Sequence, residues 1–465
     1  MTRPMCFRLA IRALLALALV SAVAGTASAE WTENVLYSFQ GGNTDGALPV
    51  GRVVFDSKGN LYGATTQGGG ECPPAQCGTV FELTPPAKNG DPWTETVLYI
   101  FKGNGSAPGR AGSPADGNVP AGGLVMDKAG NLYGTTGYGG TGNCTLLGTK
   151  VGCGTVYELS PPTQQGGAWT ETVLYSFQGG KDGYLAWGDL VFDAKGNLYG
   201  ATEYGGGYGT CNSPYYQYCG TIFELNPPQK SGGAWKEKVL YSFKSDTDGA
   251  NPNGGLVFDK QGAIYGTTFF GGNQKCGADN GIGCGTVFSL SPPIKKSGKW
   301  LEKVLHRFRS DPDGAGPEAG LVFGNAGELY GTTLGGGSSG LGAVFGLLST
   351  GSKWTESVLY SFDEGKNGGY PAGALSFGSN ATLYGTTSSS HVSYGSVFQL
   401  KPPTGKGQKW ALDGLYSFTG PPDGGNPAAR LVFDRSGNVY GTTSKGGNGT
   451  NCSFYGCGTV FEVAP

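Results

Sequence analysis

LVFDAKGNLYGAT, residues 190–202, sets two short apolar runs on either side of Asp193-Ala194-Lys195-Gly196-Asn197. Each run is rich in Val, Leu, Phe, Tyr or Thr and is bounded by Gly, Asn or Asp, the pattern of a β-strand. Between them Asp can bond the turn backbone and Gly can take the left-handed conformation, so the stretch reads as a tight hairpin. The same pair of runs surrounds Tyr62, Tyr133, Tyr265, Tyr330, Tyr384 and Tyr440.

Two further strand-like elements recur with it. A VLYSF-like run begins at Val35, Val97, Val173, Val239, Val304, Val358 and Gly414, and a GTVFEL-like run at Gly78, Gly154, Gly220, Gly285, Gly342, Gly395 and Gly458. No sustained 3.6-residue period follows residue 30, so helix is not expected. Seven copies of four short strands predict an all-β fold, a seven-bladed β-propeller of four-stranded antiparallel blades. The chain opens on a VLYSF strand and ends on GTVFEV at Gly458–Val463. The ring is therefore expected to close by the N-terminal strand pairing into the last blade, and an open solenoid would instead need atypical capping repeats.

Residues 1–29 read as a signal peptide: Arg3, Arg8 and Arg12, an apolar run from Ala13 to Ala24, and Ala27-Ser28-Ala29 as the cleavage site. Residues 30–465 then form a single propeller domain, secreted or periplasmic, with no membrane span. Charge is nearly balanced, 32 Lys+Arg against 34 Asp+Glu, and no basic run stands out, which excludes nucleic acid as a partner class. The 88 Gly and 27 Pro would suggest disorder if they were aperiodic, but they punctuate the repeat.

The hairpin L-V-F-D-x-x-G-N-L-Y resembles the inner strands of NHL-type propellers. Across the mature chain, GGLVFDKQGAIYGTT, GCGTVFSLSPP and WTETVLYSF resemble the GloVer (Gloeo/Verruco) tandem repeats of secreted bacterial proteins. That resemblance implies an exported repeat protein and brings no settled activity or catalytic residues. Relatives often end in an anchoring tail, whereas here Ala464-Pro465 directly follows the seventh GTVFEV, so free release as a monomer is expected.

Ten cysteines remain beyond Cys6 and fall in pairs between LYGTT and GTVFEL: Cys72-Cys77, Cys144-Cys153, Cys211-Cys219, Cys276-Cys284 and Cys452-Cys457. Their spacing does not match zinc knuckles, and export favours disulfides. These loops and the D-G-x-x-P loops should share one propeller face, where recognition surfaces lie. Blade three is unusual in holding Tyr184, Trp187, Tyr204, Tyr208, Tyr215, Tyr216 and Tyr218 there. Such aromatics either contact a sugar or protein ligand or pack on one another to order the loop. The tryptophans that open each outer strand, such as Trp31 and Trp169, read as packing.

Asp45, Asp116, Asp182, Asp248, Asp313 and Asp423 each precede Gly in one loop, and Asp246 with Asp248 offers oxygens suited to calcium. Asp-Gly as a turn former is the stronger reading, and no other cofactor is expected. His306 stands in the Tyr register of VLYSF, His391 lies in a loop, and no nucleophile elbow, HExxH or phosphate loop is present. The function expected is an extracellular binding module for a glycan or protein. A metal-dependent hydrolase or lyase with carboxylates at the central channel, and a structural envelope component, are the alternatives.

Overall fold

The computed structural model describes residues 31–465 except 73–74, 89, 104–115, 147, 165, 208–218, 231, 246, 273–275, 277–282, 296–297, 352, 364, 366, 389–393 and 453–454. Its described residues form seven antiparallel sheets, with four further two-stranded ribbons in the loops. In blade 1 the strands run outward from the axis as Val54–Phe55, Leu61–Thr65, Thr79–Thr84 and Thr94–Ile100. Blades 2 to 6 repeat this order within 117–176, 191–242, 257–307, 322–361 and 376–417, and blade 2 carries an added inner strand at Gly117–Pro120. The single helical element among the described residues is the 3-10 turn Ser379–Ala381.

Closure follows the expected route. Blade 7 takes Val432–Phe433, Val439–Thr443 and Thr459–Ala464 from the C-terminal end, and Thr32–Ser38 supplies its outer strand. That strand pairs antiparallel from Thr32 opposite Ala464 to Ser38 opposite Thr459.

The repeated motifs acquire physical roles. In the opening stretch, Asp193 accepts from the Lys195 and Asn197 amides at 2.8 and 2.9 Å, and Gly196 sits at φ 84°. Tyr of the second strand fills the gap between blades: Phe55 of blade 1 meets Tyr440 of blade 7 edge-on at 5.1 Å, and Trp169 lies 6.1 Å from Tyr62. The last Thr of LYGTT ties its strand to the third, as in Thr65 with Thr79 at 2.9 Å. The Thr before it reaches the next blade, where Thr267 donates to the Ala319 carbonyl at 2.9 Å.

Burial corrects one expectation. VLYSF is apolar on both faces, the pattern expected of a fully sandwiched strand, yet in Thr94–Ile100 no residue is fully buried. The covered strands are LYGTT and GTVFEL, because wedges splay apart toward the perimeter.

A second set of contacts stitches the perimeter. Tyr37, Tyr99, Tyr175, Tyr241 and Tyr416 each donate to the Asp of the following loop, Asp45, Asp116, Asp182, Asp248 and Asp423, at 2.7–3.1 Å. His306 faces Asp313 in the same way at 3.0 Å. Against each Asp, from the outer strand of the next blade, comes a glutamate: Glu95, Glu171, Glu237, Glu302, Glu356 and, for Asp423, Glu33. Burial first, and for most of them then the neighbouring Asp, push all six up to about 7. At the seventh junction Asn367 takes the Asp position and Leu412 the Glu position. The two acids disappear together, as expected of groups that interact.

Candidate functional site

The loop that carries each Asp-Gly runs inward to the axis. Two residues before the axis it turns through a left-handed position, and non-glycine residues occupy it at Leu48, Val119, Leu185, Asn251, Tyr370 and Asn426 (φ 56–59°). Positive φ costs such side chains energy. The turn aims the next residues, Val50, Ala121, Trp187, Asn253, Glu318, Ala372 and Ala428, at the mouth of the central channel. Below them a ring of small residues packs backbone to backbone: a Cβ on Gly122 would lie 2.8 Å from the Gly188 carbonyl oxygen. The third ring includes Arg52, Asp189 and Arg430.

This geometry makes an axial channel with a mouth of about 440 Å³ and a deeper chamber of about 550 Å³. The mouth is lopsided. Blades 3 to 5 supply Trp187, Glu203, Asn253 and Glu318, whereas blades 6, 7, 1 and 2 supply Ala372, Ala428, Val50 and Ala121. Glu203 directly follows the LYGAT strand of blade 3, and its amide donates to the Leu185 carbonyl at 2.9 Å. Burial first, then the Glu318 charge, push the Glu203 carboxyl up to about 7, despite an opposing hydrogen bond from Tyr204. Burial also raises the Glu318 carboxyl.

Two buried polar atoms of this half, Trp187 Nε1 and Asn253 Oδ1, have no partner within the protein. Deeper in, Asp189 links three blades: it pairs with Arg52 Nε at 3.1 Å and accepts from the Gly123 amide at 2.7 Å. Burial, then the Arg52 charge, lower the Arg430 guanidinium, and its Nε lies 3.3 Å from Ser376 Oγ. The arrangement offers donors and acceptors on one wall, an apolar wall opposite, and two cations against one anion at depth.

Three of the seven blade-three aromatics, Tyr184, Trp187 and Tyr204, are among the described residues. Tyr184 and Tyr204 stack on each other, centroids 5.2 Å apart and planes 28° apart, while their backbones pair. Trp187 sits at the mouth, over Gly137. Tyr208, Tyr215, Tyr216 and Tyr218 lie outside the described residues, as do Asp246 and His391. Asp248 accepts from Tyr241 and the Lys244 amide, as a loop-fastening carboxylate does. Disulfides join Cys144–Cys153, Cys276–Cys284 and Cys452–Cys457. Cys77 and Cys219 are also disulfide-bonded, while Cys211 and the side chain of Cys72 lie outside the described residues.

Sequence reasoning missed Glu203, Asn253 and Glu318. The signal lay in aligned columns: the residue at the position after the loop Pro, where only Ala recurs, and the residue after LYGTT, where only Ser recurs, change from blade to blade while their neighbours repeat.

Among solved structures, the chain is similar to an oxidoreductase described as a glucose dehydrogenase from Thermus thermophilus, at 14% identity and TM-score 0.42, covering 93% of this chain and 100% of that one. A Trichoderma reesei carbohydrate-active enzyme of family AA12 aligns at 11% identity and TM-score 0.42 over 94% and 96% of the two chains. A gluconolactonase from Xanthomonas campestris aligns at 14% and 0.38 over 75% and 84%. No curated protein matches. The Gloeobacter/Verrucomicrobia repeat matches over residues 23–210, 143–296 and 205–461, which together span all seven blades, and the chain belongs to that repeat family.

Proposed function

We propose that the protein is an exported binding module that receives the end of a neutral saccharide in its axial mouth. The observation that carries this reading is the pair of unpartnered buried atoms, Trp187 Nε1 and Asn253 Oδ1, on residues that line the same opening as two carboxyls. Buried polar groups without partners are costly, and a ligand hydroxyl relieves them. A sugar presents hydroxyls on its rim and an apolar C–H face, matching a polar wall opposite Val50, Ala121, Ala372 and Ala428. The cavity volumes lie in the range of small-molecule sites. Export and release from the cell, with the signal removed near Ala29, accord with the disulfides.

The test is a saccharide screen by calorimetry with the mature protein and its Trp187→Phe and Asn253→Ala variants. Each variant is expected to weaken binding at least tenfold, about 1.4 kcal/mol. Binding indifferent to both, but lost in Tyr216→Ala, would move the site to the rim loops and sink the axial reading.

One observation favours a second reading, acid–base chemistry at the same mouth. Glu203, held near pH 7 beside Glu318, could keep a proton to donate while its partner accepts one. Turnover of a bound saccharide that is abolished by Glu203→Gln would establish the hydrolase or lyase, and chelator sensitivity would add a metal to it.

A further inference from the structure

His306 breaks the perimeter repeat at one junction. At the other five acidic junctions a tyrosine hydroxyl meets the loop Asp, and a phenol remains protonated and neutral there. At the junction of blades 4 and 5 an imidazole stands in its place, with Nε2 3.0 Å from Asp313 Oδ2. Glu356 enters from the outer strand of blade 5, and one ligand atom from each of His306, Asp313 and Glu356 lies within 4.8 Å of the others. Glu356 Oε1 is buried without a partner within the protein, as is the matching oxygen of Glu33, Glu95, Glu171, Glu237 and Glu302, so the imidazole is what sets this junction apart. Asp313 is 7% exposed, and the Arg309 amide fixes its other oxygen at 3.0 Å.

We infer that His306, Asp313 and Glu356 form a zinc-class divalent metal site that staples blade 4 to blade 5. Ligand atoms about 2.0–2.2 Å from zinc in tetrahedral or octahedral array stand roughly 3.0–3.4 Å apart, and the His306–Asp313 pair already has that separation. Glu356 would supply the third ligand from within the same 4.8 Å cluster. One imidazole nitrogen with two carboxylate oxygens suits zinc, cobalt or nickel, whereas calcium prefers an all-oxygen set of six or more. The partly exposed His306 side chain leaves room for water to complete the coordination. The charge balances too, since a dication neutralises the two carboxylates.

The experiment titrates zinc into the metal-free mature protein by calorimetry, with cobalt absorption as the spectroscopic readout. The key variant is His306→Tyr, which restores the residue the repeat itself uses and so keeps the fold. One zinc site is expected in the parent, weakened at least 100-fold in His306→Tyr and at least 10-fold in Glu356→Gln, and unchanged in His391→Ala. Zinc should raise the thermal midpoint of the parent and leave that of His306→Tyr unmoved, and cobalt should develop a visible d–d band in the parent but not in His306→Tyr. No zinc binding by the parent, or equal binding by His306→Tyr, overturns the site.

Discussion

Around the perimeter, blade after blade presents one set of side chains: a Trp on the neighbouring Tyr, a Tyr on an Asp, a Glu from the next wedge against that Asp. Around the axial mouth, Val50, Ala121, Trp187, Asn253, Glu318, Ala372 and Ala428 occupy equivalent positions, and only alanine recurs among them. Both regions come from the same seven repeats, so the difference is in what constrains each. Neighbouring wedges must fit each other in every copy. The mouth faces solvent, no neighbour dictates its side chains, and so a ligand can.

Damage to the perimeter should therefore act on stability, at the closing seam as much as within a continuous blade. Phe39 ends the N-terminal strand fully buried, 5.0 Å from Phe81 of blade 1 and 5.1 Å from Tyr37. Phe39→Ala should cost about 3–5 kcal/mol in urea unfolding. Phe243→Ala, its equivalent in blade 3, should cost about the same if the closing seam is as tight as a continuous one. A much smaller loss for Phe39→Ala would mean that the seam already frays in the parent. The Cys144→Ser, Cys153→Ser double variant should follow with about 2–3 kcal/mol, leaving saccharide affinity unchanged.

The six perimeter glutamates give the next effect its sign. Each is pushed from 4.5 to about 7, so between those values the folded chain holds protons that the unfolded chain has released. Stability contributed in this way is complete below about pH 4.5 and is lost as pH rises through 7. Raised carboxyls at Asp45, Asp116 and Asp182 act in the same direction. At the His306 junction, burial of Asp313 is outweighed by its hydrogen bonds from His306 and the Arg309 amide, and its carboxyl is lowered instead. The thermal midpoint should fall from pH 5 to pH 8. Glu171→Gln should flatten the slope by one junction's share and raise the midpoint at pH 8. An unchanged slope in that variant would show that the burden lies elsewhere.

Legibility in the sequence divides along the same line. Strand order, blade number and closure were readable because four motifs recur at fixed order, and packing forces that recurrence. The Asp ring was visible, but its partner glutamate was not: in WTETVLYSF it stands some 50 residues from its Asp and looks like an exposed strand residue. Trp187 reads in the sequence as one more aromatic beside the blade-three tyrosines, since chain proximity says nothing about which side of the left-handed turn at Leu185 a residue falls on. Glu203, Asn253 and Glu318 belong to no motif and come together only when seven wedges meet.

The smallest stability effect should come from the mouth, and it is the sharpest probe of the contrast. Asn253 contributes an unpartnered oxygen, so Asn253→Ala removes a buried acceptor that nothing in the protein satisfies. The change should alter the unfolding free energy by no more than about 0.5 kcal/mol and could even stabilise the fold, because an orphaned polar group is itself a cost. In the same variant saccharide binding should fall at least tenfold. A loss of stability comparable to that of the perimeter variants would reverse the assignment, making Asn253 a structural link between blades 4 and 5 whose partner forms only in solution.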